Sequence, residues 1–260
     1  MNKSLVQQQF GAHAAAYVTS TVHAKGASLG RLVELVAPQP TWAALDVATG
    51  AGHTAAAFAP HVGTVIASDL TSEILEEAAK LAKSKGLANM ETARADAEAL
   101  PFADGQFDLV TCRIAPHHFP DVAAFAAGVW RVLKAGGTFA LVDNIAPDAL
   151  STPGFSAGEL SQAAQIYNAF EKVRDPSHAR CLGMAEWTEV LSDRGFVWWC
   201  TRSACRRIWN SNRGPRAWAP MLPRSSDCAR CSWRARRRSG PSSNRGASRN
   251  SCGSPWTRRS

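Results

Sequence analysis

What the chain lacks divides it in two. Residues 1–201 are short of positive charge, with 14 Lys and Arg against 20 Asp and Glu, whereas residues 202–260 hold 15 Arg, no Lys and a single acid, Asp227. The formal charge of +8 therefore describes neither part: an acidic body precedes a strongly basic tail. Cysteine is scarce in the body, where only Cys112 and Cys181 of the seven precede Cys200 at its end. Two distant thiols fit a reduced compartment better than a disulfide framework. No run of 18 or more apolar residues occurs, and no charged-then-apolar leader opens the chain. Neither secretion nor a membrane span is expected, and the predicted location is cytoplasmic. At 260 residues the length allows one large α/β domain with an elaboration, or two small domains.

The most informative stretch present is Leu45-Asp46-Val47-Ala48-Thr49-Gly50-Ala51-Gly52-His53. An apolar strand runs into a glycine turn, and an alanine-rich helical pattern follows at Thr54–Phe58. Glycine permits a sharp turn and the close approach of a ligand to the backbone. The helix behind it presents unpaired N–H groups to that ligand. The next apolar run, Thr64-Val65-Ile66-Ala67, leads to Asp69. That separation is close to the roughly 20 residues at which a second-strand carboxylate reaches a ribose hydroxyl. The pattern is that of an enzyme with a nucleoside cofactor.

Phe10, Ala14 and Tyr17, then Leu29, Leu32, Val33 and Val36, recur at helical spacing over residues 3–37, and Pro38-Gln39-Pro40 ends that section. Strands are predicted at Ala43–Val47, Thr64–Ser68, Met90–Ala95, Phe107–Cys112 and Thr138–Asp143. Helices are predicted from Thr54, over Ser72–Lys85 with Ser72 as the cap, and over Val122–Leu133 with Lys134-Ala135-Gly136-Gly137 as the stop. The alternation implies βαβ crossovers and a mostly parallel sheet covered on both faces, a doubly wound α/β fold. Residues 144–186, broken by Pro147, Pro153, Gly154, Gly158 and Pro176, read as a lid inserted over the carboxyl edge of the sheet, with a helix near Glu159–Val173. Trp187–Arg194 resumes as helix and Gly195-Phe196-Val197 begins another strand. The expected organisation is N-terminal helices over residues 1–40, a core domain over 41–202 and a separate tail over 203–260.

The tail shows neither helical nor strand periodicity. It reads as a disordered basic segment, as a nucleic-acid-binding arm, or as the product of a slipped reading frame. Back-translating residues 208–215 and starting at the third base of each codon permits Met-Glu-Phe-Glu-Pro-Trp-Ala, an ordinary segment with its acids restored. A Lys-free, Arg-rich stretch is what a GC-rich gene gives out of frame, and the slip is placed near Val197–Arg206. Cys228 and Cys231, taken with Cys205 and Cys252, do not have the outer spacing of a zinc knuckle.

Four ordered elements in the body resemble the class I S-adenosylmethionine-dependent methyltransferases. They are Asp46-Val47-Ala48-Thr49-Gly50-Ala51-Gly52 with Asp69 after the second strand; Asp96-Ala97 after the third; Pro101-Phe102-Ala103-Asp104-Gly105-Gln106-Phe107-Asp108-Leu109-Val110 leading into the fourth; and Arg131-Val132-Leu133-Lys134-Ala135-Gly136-Gly137 before the fifth. Ala48 replaces the first glycine of the family's turn. The resemblance covers about residues 10–196 and is nearest the type 11 branch related to ubiquinone and menaquinone biosynthesis methyltransferases. It implies a Rossmann-like methyltransferase fold with S-adenosyl-L-methionine as cofactor, and a small-molecule acceptor attacked through carbon or oxygen. Neither a membrane nor a specific nucleic acid is implied as a partner.

The resemblance also implies roles. Ala48, Gly50 and Gly52 bring backbone to the methionine moiety. Asp46 holds the turn and faces the sulfonium, and Asp69, with Leu70 beside it, accepts from both ribose hydroxyls. Asp96 and Ala97 read the adenine. Arg113, just past the fourth strand, is a cofactor contact, and Tyr17, in the N-terminal helices with His23, packs over the cofactor. His117 and His118, in Arg113-Ile114-Ala115-Pro116-His117-His118-Phe119, are the candidate bases where the acceptor must lose a proton. Arg174-Asp175-Pro176-Ser177-His178 reads as a lid segment facing the acceptor. A nicotinamide-dependent oxidoreductase is the rival enzyme reading, weakened because Ala55 stands at the third glycine position and no Tyr-x-x-x-Lys follows. A nucleic-acid binder acting through the arginine-rich tail is the non-enzyme rival. In the family a late strand closes the sheet; an out-of-frame tail predicts an open sheet edge and poor solubility.

Overall fold

The computed structural model describes residues 27–199 and the strand at 232–237. Phe10, Ala14, Tyr17, His23 and the rest of the tail, including its cysteines, lie outside the described residues. Helix α1 (Ala27–Val36) buries Leu29, Leu32 and Val36, the stripe that its periodicity predicts. Strand β1 (Ala43–Val47), helix α2 (His53–Phe58), strand β2 (Thr64–Asp69), helix α3 (Ser72–Ser84) and strand β3 (Met90–Arg94) follow as two successive crossovers. Strand β4 (Phe107–Arg113), helix α4 (Val122–Val132) and strand β5 (Leu133–Val142) complete a five-stranded parallel unit. Helix α5 (Ala157–Arg174), helix α6 (Met184–Asp193), strand β6 (Phe196–Trp199) and strand β7 (Ser232–Arg237) come last.

The sheet order is β3-β2-β1-β4-β5-β7-β6. β1 lies between β2 and β4, so successive crossovers go opposite ways from it and leave a crevice at the carboxyl ends of β1 and β4. Alternate residues of each strand feed two cores. Leu45, Val47, Val110, Cys112, Phe139 and Leu141 pack with Phe125, Val129, Trp187 and Leu191 of α4 and α6. Ala44, Leu109, Ala140 and Val142 pack with Leu32, Val36, Ala55, Phe58 and Ala78 of α1, α2 and α3. The sheet is thus a doubly wound Rossmann-like layer, as its near-continuous apolar strands predict. Among the described residues no helix is long and apolar enough to cross a membrane.

Three expectations need correction. Ser72 does not cap α3: Thr71 does, because the Leu75 N–H bonds the Thr71 carbonyl, and neither side chain makes a capping bond. β5 begins at Leu133, five residues before the predicted Thr138, since Lys134-Ala135-Gly136-Gly137 continues the strand instead of stopping short of it. Gly136, at φ 79°, and a register shift between Phe107 and Leu109 of β4 absorb the irregularity. A Cβ on Gly137 would stand 2.9 Å from the Lys134 carbonyl oxygen and 3.2 Å from that of Asp108, so this strand pair needs glycine there. Finally, part of the tail expected to be disordered is a strand. β7 pairs antiparallel with β5 (Phe139↔Ala235, Leu141↔Trp233) and with β6 (Val197↔Arg236), filling the slot that the expectation left open. Ladder bonds use backbone N–H and C=O groups alone, so the unpaired edge of β5 can take a segment whose side chains carry no strand pattern.

Candidate active site

Four strand ends converge on the crevice, and a buried carboxylate ties three of its elements together. Asp46, 1% exposed, accepts from the Thr49 hydroxyl of the turn (2.6 Å), the Ala55 N–H of α2 (3.2 Å) and the Thr111 hydroxyl of β4 (2.6 Å). Both of its oxygens are therefore engaged within the protein. Burial pushes the Asp46 carboxyl up to about 6, while the Thr111 and Thr49 hydroxyls and the charge of Arg113 pull it back. The side chain that the family resemblance turns toward the sulfonium is here the brace of the turn.

The turn runs through three left-handed residues, Ala48 (φ 52°), Gly50 (φ 56°) and Gly52 (φ 83°). Their surroundings differ. A Cβ on Gly50 would meet nothing within 4 Å, whereas one on Gly52 would stand 2.9 Å from both the Ala78 Cβ of α3 and the Met90 Cε of β3. Gly50 faces open space in the crevice. Gly52 instead lets α2 pack against α3, a role the sequence pattern does not separate from ligand approach. Ala48 holds the same backbone conformation without glycine's freedom.

Asp69 ends β2 and reaches back to this turn. Its Oδ2 accepts from the Gly50 N–H (3.1 Å) and its Oδ1 from the Thr71 N–H (3.0 Å). Desolvation raises its carboxyl above the ordinary range, against the pull of those N–H groups. The Leu70 carbonyl beside it accepts from Arg94 Nε. Asp96 and Ala97, both half-buried, follow β3, where Asp96 Oδ1 accepts from the Glu98 N–H (3.0 Å) and shapes a turn at the strand end. The structure thus brings Asp46, Ala48, Gly50, Asp69, Leu70, Asp96 and Ala97 to one rim. Arg113, 8% exposed, turns inward: its Nε donates to the Thr54 hydroxyl (3.1 Å) and its Nη1 approaches the Ser28 hydroxyl (3.4 Å), bracing α1 and α2 against β4.

Past β4 the chain bends at Ile114, a β-branched residue at φ 55° held by its N–H to the Val142 carbonyl (2.7 Å). The bend delivers the two histidines to different fates. His117, 6% exposed, places Nδ1 2.6 Å from Oδ1 of Asp143, a 7%-exposed residue just past β5. A carboxylate at Nδ1 holds the proton there and leaves the lone pair on Nε2. His118 Nδ1 donates to the Ser177 carbonyl (3.2 Å), and burial, then His117 beside it, lowers its pKa to about 4. The sequence reading did not single out Asp143, although an acid closing an apolar strand is the signal that finds Asp69 and Asp96.

The segment from Asp175 to Gly183 seals this side. The His117 carbonyl accepts from the Ala179 (2.7 Å) and Arg180 (3.0 Å) N–H groups. Asn168 of α5 ties the segment to the lid helix: its Oδ1 accepts from the Cys181 N–H (2.6 Å) and His178 Nε2 (2.9 Å). Burial pushes the Cys181 thiol up to about 12 and raises the Tyr167 phenol too, so both keep their protons at neutral pH. His178, expected to face the acceptor, is 1% exposed and hydrogen-bonded to Asn168.

The methyltransferase-domain family profile matches residues 45–141. YcgJ of Bacillus subtilis, a methyltransferase by name, is 38% identical over 183 residues, covering 70% of this chain and 68% of that protein. Its crystal structure superposes with a TM-score of 0.61 at 36% identity, over 67% of this chain and 70% of that chain. Protein BH2331 of Bacillus halodurans gives the same TM-score at 42% identity, over 66% and 70%. UbiE of Francisella philomiragia, named a ubiquinone/menaquinone biosynthesis C-methyltransferase, is 37% identical over 103 residues, which span only 38% of this chain and 41% of that protein.

Proposed function

The chain belongs to the S-adenosylmethionine-dependent methyltransferases, and we propose that it methylates a carbon or oxygen nucleophile of a small molecule, with His117 removing the proton that the nucleophile gives up. The observation that carries this reading is the 2.6 Å His117–Asp143 pair at the carboxyl ends of β4 and β5, beside the glycine turn. Bound there, S-adenosylmethionine supplies an electrophilic methyl group on sulfur, and transfer is an in-line displacement.

The residues of the turn fit such a cofactor: Gly50 leaves room where a side chain would intrude, and Asp69 stands at the end of the neighbouring strand. The Ala48–Gly50 backbone would hold the amino-acid end, Asp69 and Leu70 the ribose, and Asp96 and Ala97 the adenine. Asp46 and Arg113 support the turn from beneath. On the acceptor side, His118, lowered to about 4, is too weak a base, and Tyr167 and Cys181 stay protonated. His117, held in one tautomer by Asp143, is left to take the proton. The lid over residues 144–186 keeps water from the nucleophile. The similarity to UbiE, named a C-methyltransferase, makes carbon one of the two candidate atoms.

Titration calorimetry with S-adenosylhomocysteine against NAD tests the cofactor half. Binding of the first alone is expected, weakened about tenfold or more in Asp69→Asn through loss of charge-assisted acceptance. Binding of NAD instead overturns the reading. For the base, His117→Gln is expected to lower turnover by about 100-fold or more while homocysteine-product binding holds. Unchanged turnover removes His117 from the chemistry.

A further inference from the structure

We propose that helix α5 is the seam of a homodimer, in which the α5 helices of two copies pack antiparallel and Ile166 of each copy sits against the partner's Phe170. This goes beyond the methyl-transfer reading and does not rest on it. Among the described residues the exposed large hydrophobic side chains are Leu150, Phe155, Ile166, Phe170 and Val173, all on α5 or in the loop before it. Apolar side chains exposed singly need no explanation, whereas a gathered patch marks an interaction surface.

Helix α5 carries three faces. One turns to the body, with Leu160 buried and Ala164, Tyr167, Asn168 and Glu171 half-buried. A second, exposed and polar, holds Ser161, Gln162, Gln165 and Lys172. The third is the apolar stripe Ala163, Ile166, Phe170 and Val173, whose large members are 61%, 63% and 85% exposed. Its residues recur at intervals of three, four and three, the spacing of a narrow seam between two packed helices. The polar face already meets solvent, so the stripe answers to a different neighbour.

The stripe matches itself when two copies run antiparallel about its midpoint. Ile166 then meets the partner's Phe170, and Ala163 the partner's Val173, each pair occurring twice. A parallel pair would instead set alanine on alanine and phenylalanine on phenylalanine, leaving a gap and a crowded layer in one seam. Antiparallel helices also oppose their macrodipoles. Gln162 and Ala169, which border the stripe on its polar side, carry no charge, and on the other side Arg174 is paired with Glu171. Two copies therefore approach without like-charge repulsion. The 18 residues of α5 make a rod about 27 Å long. One helix pair of that length covers about 1,000 Å², the low end of specific interfaces, so the expected dimer is weak, with a Kd of about 10 μM.

Sedimentation velocity on the full chain, over about 1–200 μM, is expected to show a monomer passing into a dimer. Ile166→Lys and Phe170→Glu each set a charge against an apolar side chain in both central layers, and each is expected to weaken association about tenfold or more. Both positions face solvent in the single chain, so folding is expected to survive the changes. An equimolar mixture of the two variants is expected to associate about fivefold or more tightly than either alone. In the mixed dimer one central layer opposes the new ammonium to the new carboxylate, while the other keeps Phe170 against Ile166. A chain that stays monomeric throughout overturns the inference, as does association that neither substitution weakens. A mixture that associates no better than its components overturns the antiparallel seam. A monomer that binds phospholipid vesicles through Ile166 and Phe170 also overturns it, giving the stripe to a membrane instead.

Discussion

Gly52→Ala and Gly50→Ala, two identical changes two residues apart, are expected to damage different properties. Both glycines are left-handed, so alanine at either costs about 1–2 kcal/mol in backbone strain. At Gly52 the new Cβ also stands 2.9 Å from the Ala78 Cβ, 2.9 Å from the Met90 Cε and 3.2 Å from the Ala78 Cα. The methionine methyl can swing away; the Ala78 backbone, inside α3, cannot without shifting the helix. Overpacking of this kind adds about 1–3 kcal/mol. Stiffening of the unfolded chain returns roughly 0.4–1 kcal/mol at either site.

The net loss expected for Gly52→Ala is therefore about 3 kcal/mol, a large part of the roughly 5–15 kcal/mol that a domain has. Urea unfolding should show it as a midpoint lowered by about 1–2 M with an unchanged slope. Gly50→Ala meets no neighbour and is expected to lose only about 1 kcal/mol of stability. Its Cβ projects into the crevice, so S-adenosylhomocysteine affinity should fall about tenfold or more, whereas folded Gly52→Ala should bind nearly as the unaltered chain does. The reasoning fails if Gly50→Ala destabilises as much as Gly52→Ala, or if Gly52→Ala abolishes binding at unchanged stability.

Ala48→Gly relieves a left-handed alanine at φ 52°, and a gain of about 0.5–1 kcal/mol in urea unfolding is expected; a loss would mean that the Ala48 side chain packs usefully. His118, about 4 in the folded chain against an ordinary 6.5, takes its proton first in the unfolded state. Its neutral form therefore contributes stability that is complete above pH 6.5 and is lost as pH falls toward 4, by about 3 kcal/mol. The stability difference between the unaltered chain and His118→Asn should shift against the unaltered chain over that window, and a pH-independent difference would refute it. Asp46, raised to about 6, slopes the other way from pH 3.8 to 6, so the unaltered chain alone should show a muted acid response. Ser156 and Glu159 cap α5 reciprocally, and Ser156→Ala should cost about 1 kcal/mol, seen as faster amide exchange in α5 with the sheet unaffected.

The elements legible in the sequence are those whose side chains alone report their burial. β1, β2 and β4 are apolar runs because both faces are covered, and their predicted limits fall within a residue of those found. α5 is predicted two residues short at its start, yet Ser156 and Glu159 mark its true beginning. What escaped depends on partners distant in the chain. β7 exists through its ladder with β5 and β6, and nothing in Ser232-Trp233-Arg234-Ala235-Arg236-Arg237 announces a strand between two others. The early start of β5 likewise depends on the Asp108 backbone passing close to Gly137.

The candidate site divides along the same line. Asp69 and the glycine turn could be placed together from spacing, because a crossover fixes where the second strand ends relative to the first. Whether a given residue faces ligand or protein could not, since that is decided by what the other strands bring. Thr111 and Thr49 claim Asp46, so the acid nearest the turn is structural. Ala78 and Met90 claim the space over Gly52, so the second glycine is a packing residue. Asp143 claims His117, and Ser177 claims His118, so a histidine pair symmetric in the sequence becomes one imidazole oriented by a carboxylate and one buried loop anchor. Each ambiguity is resolved by a contact at least 26 residues away in the chain, apart from the Thr49 bond within the turn.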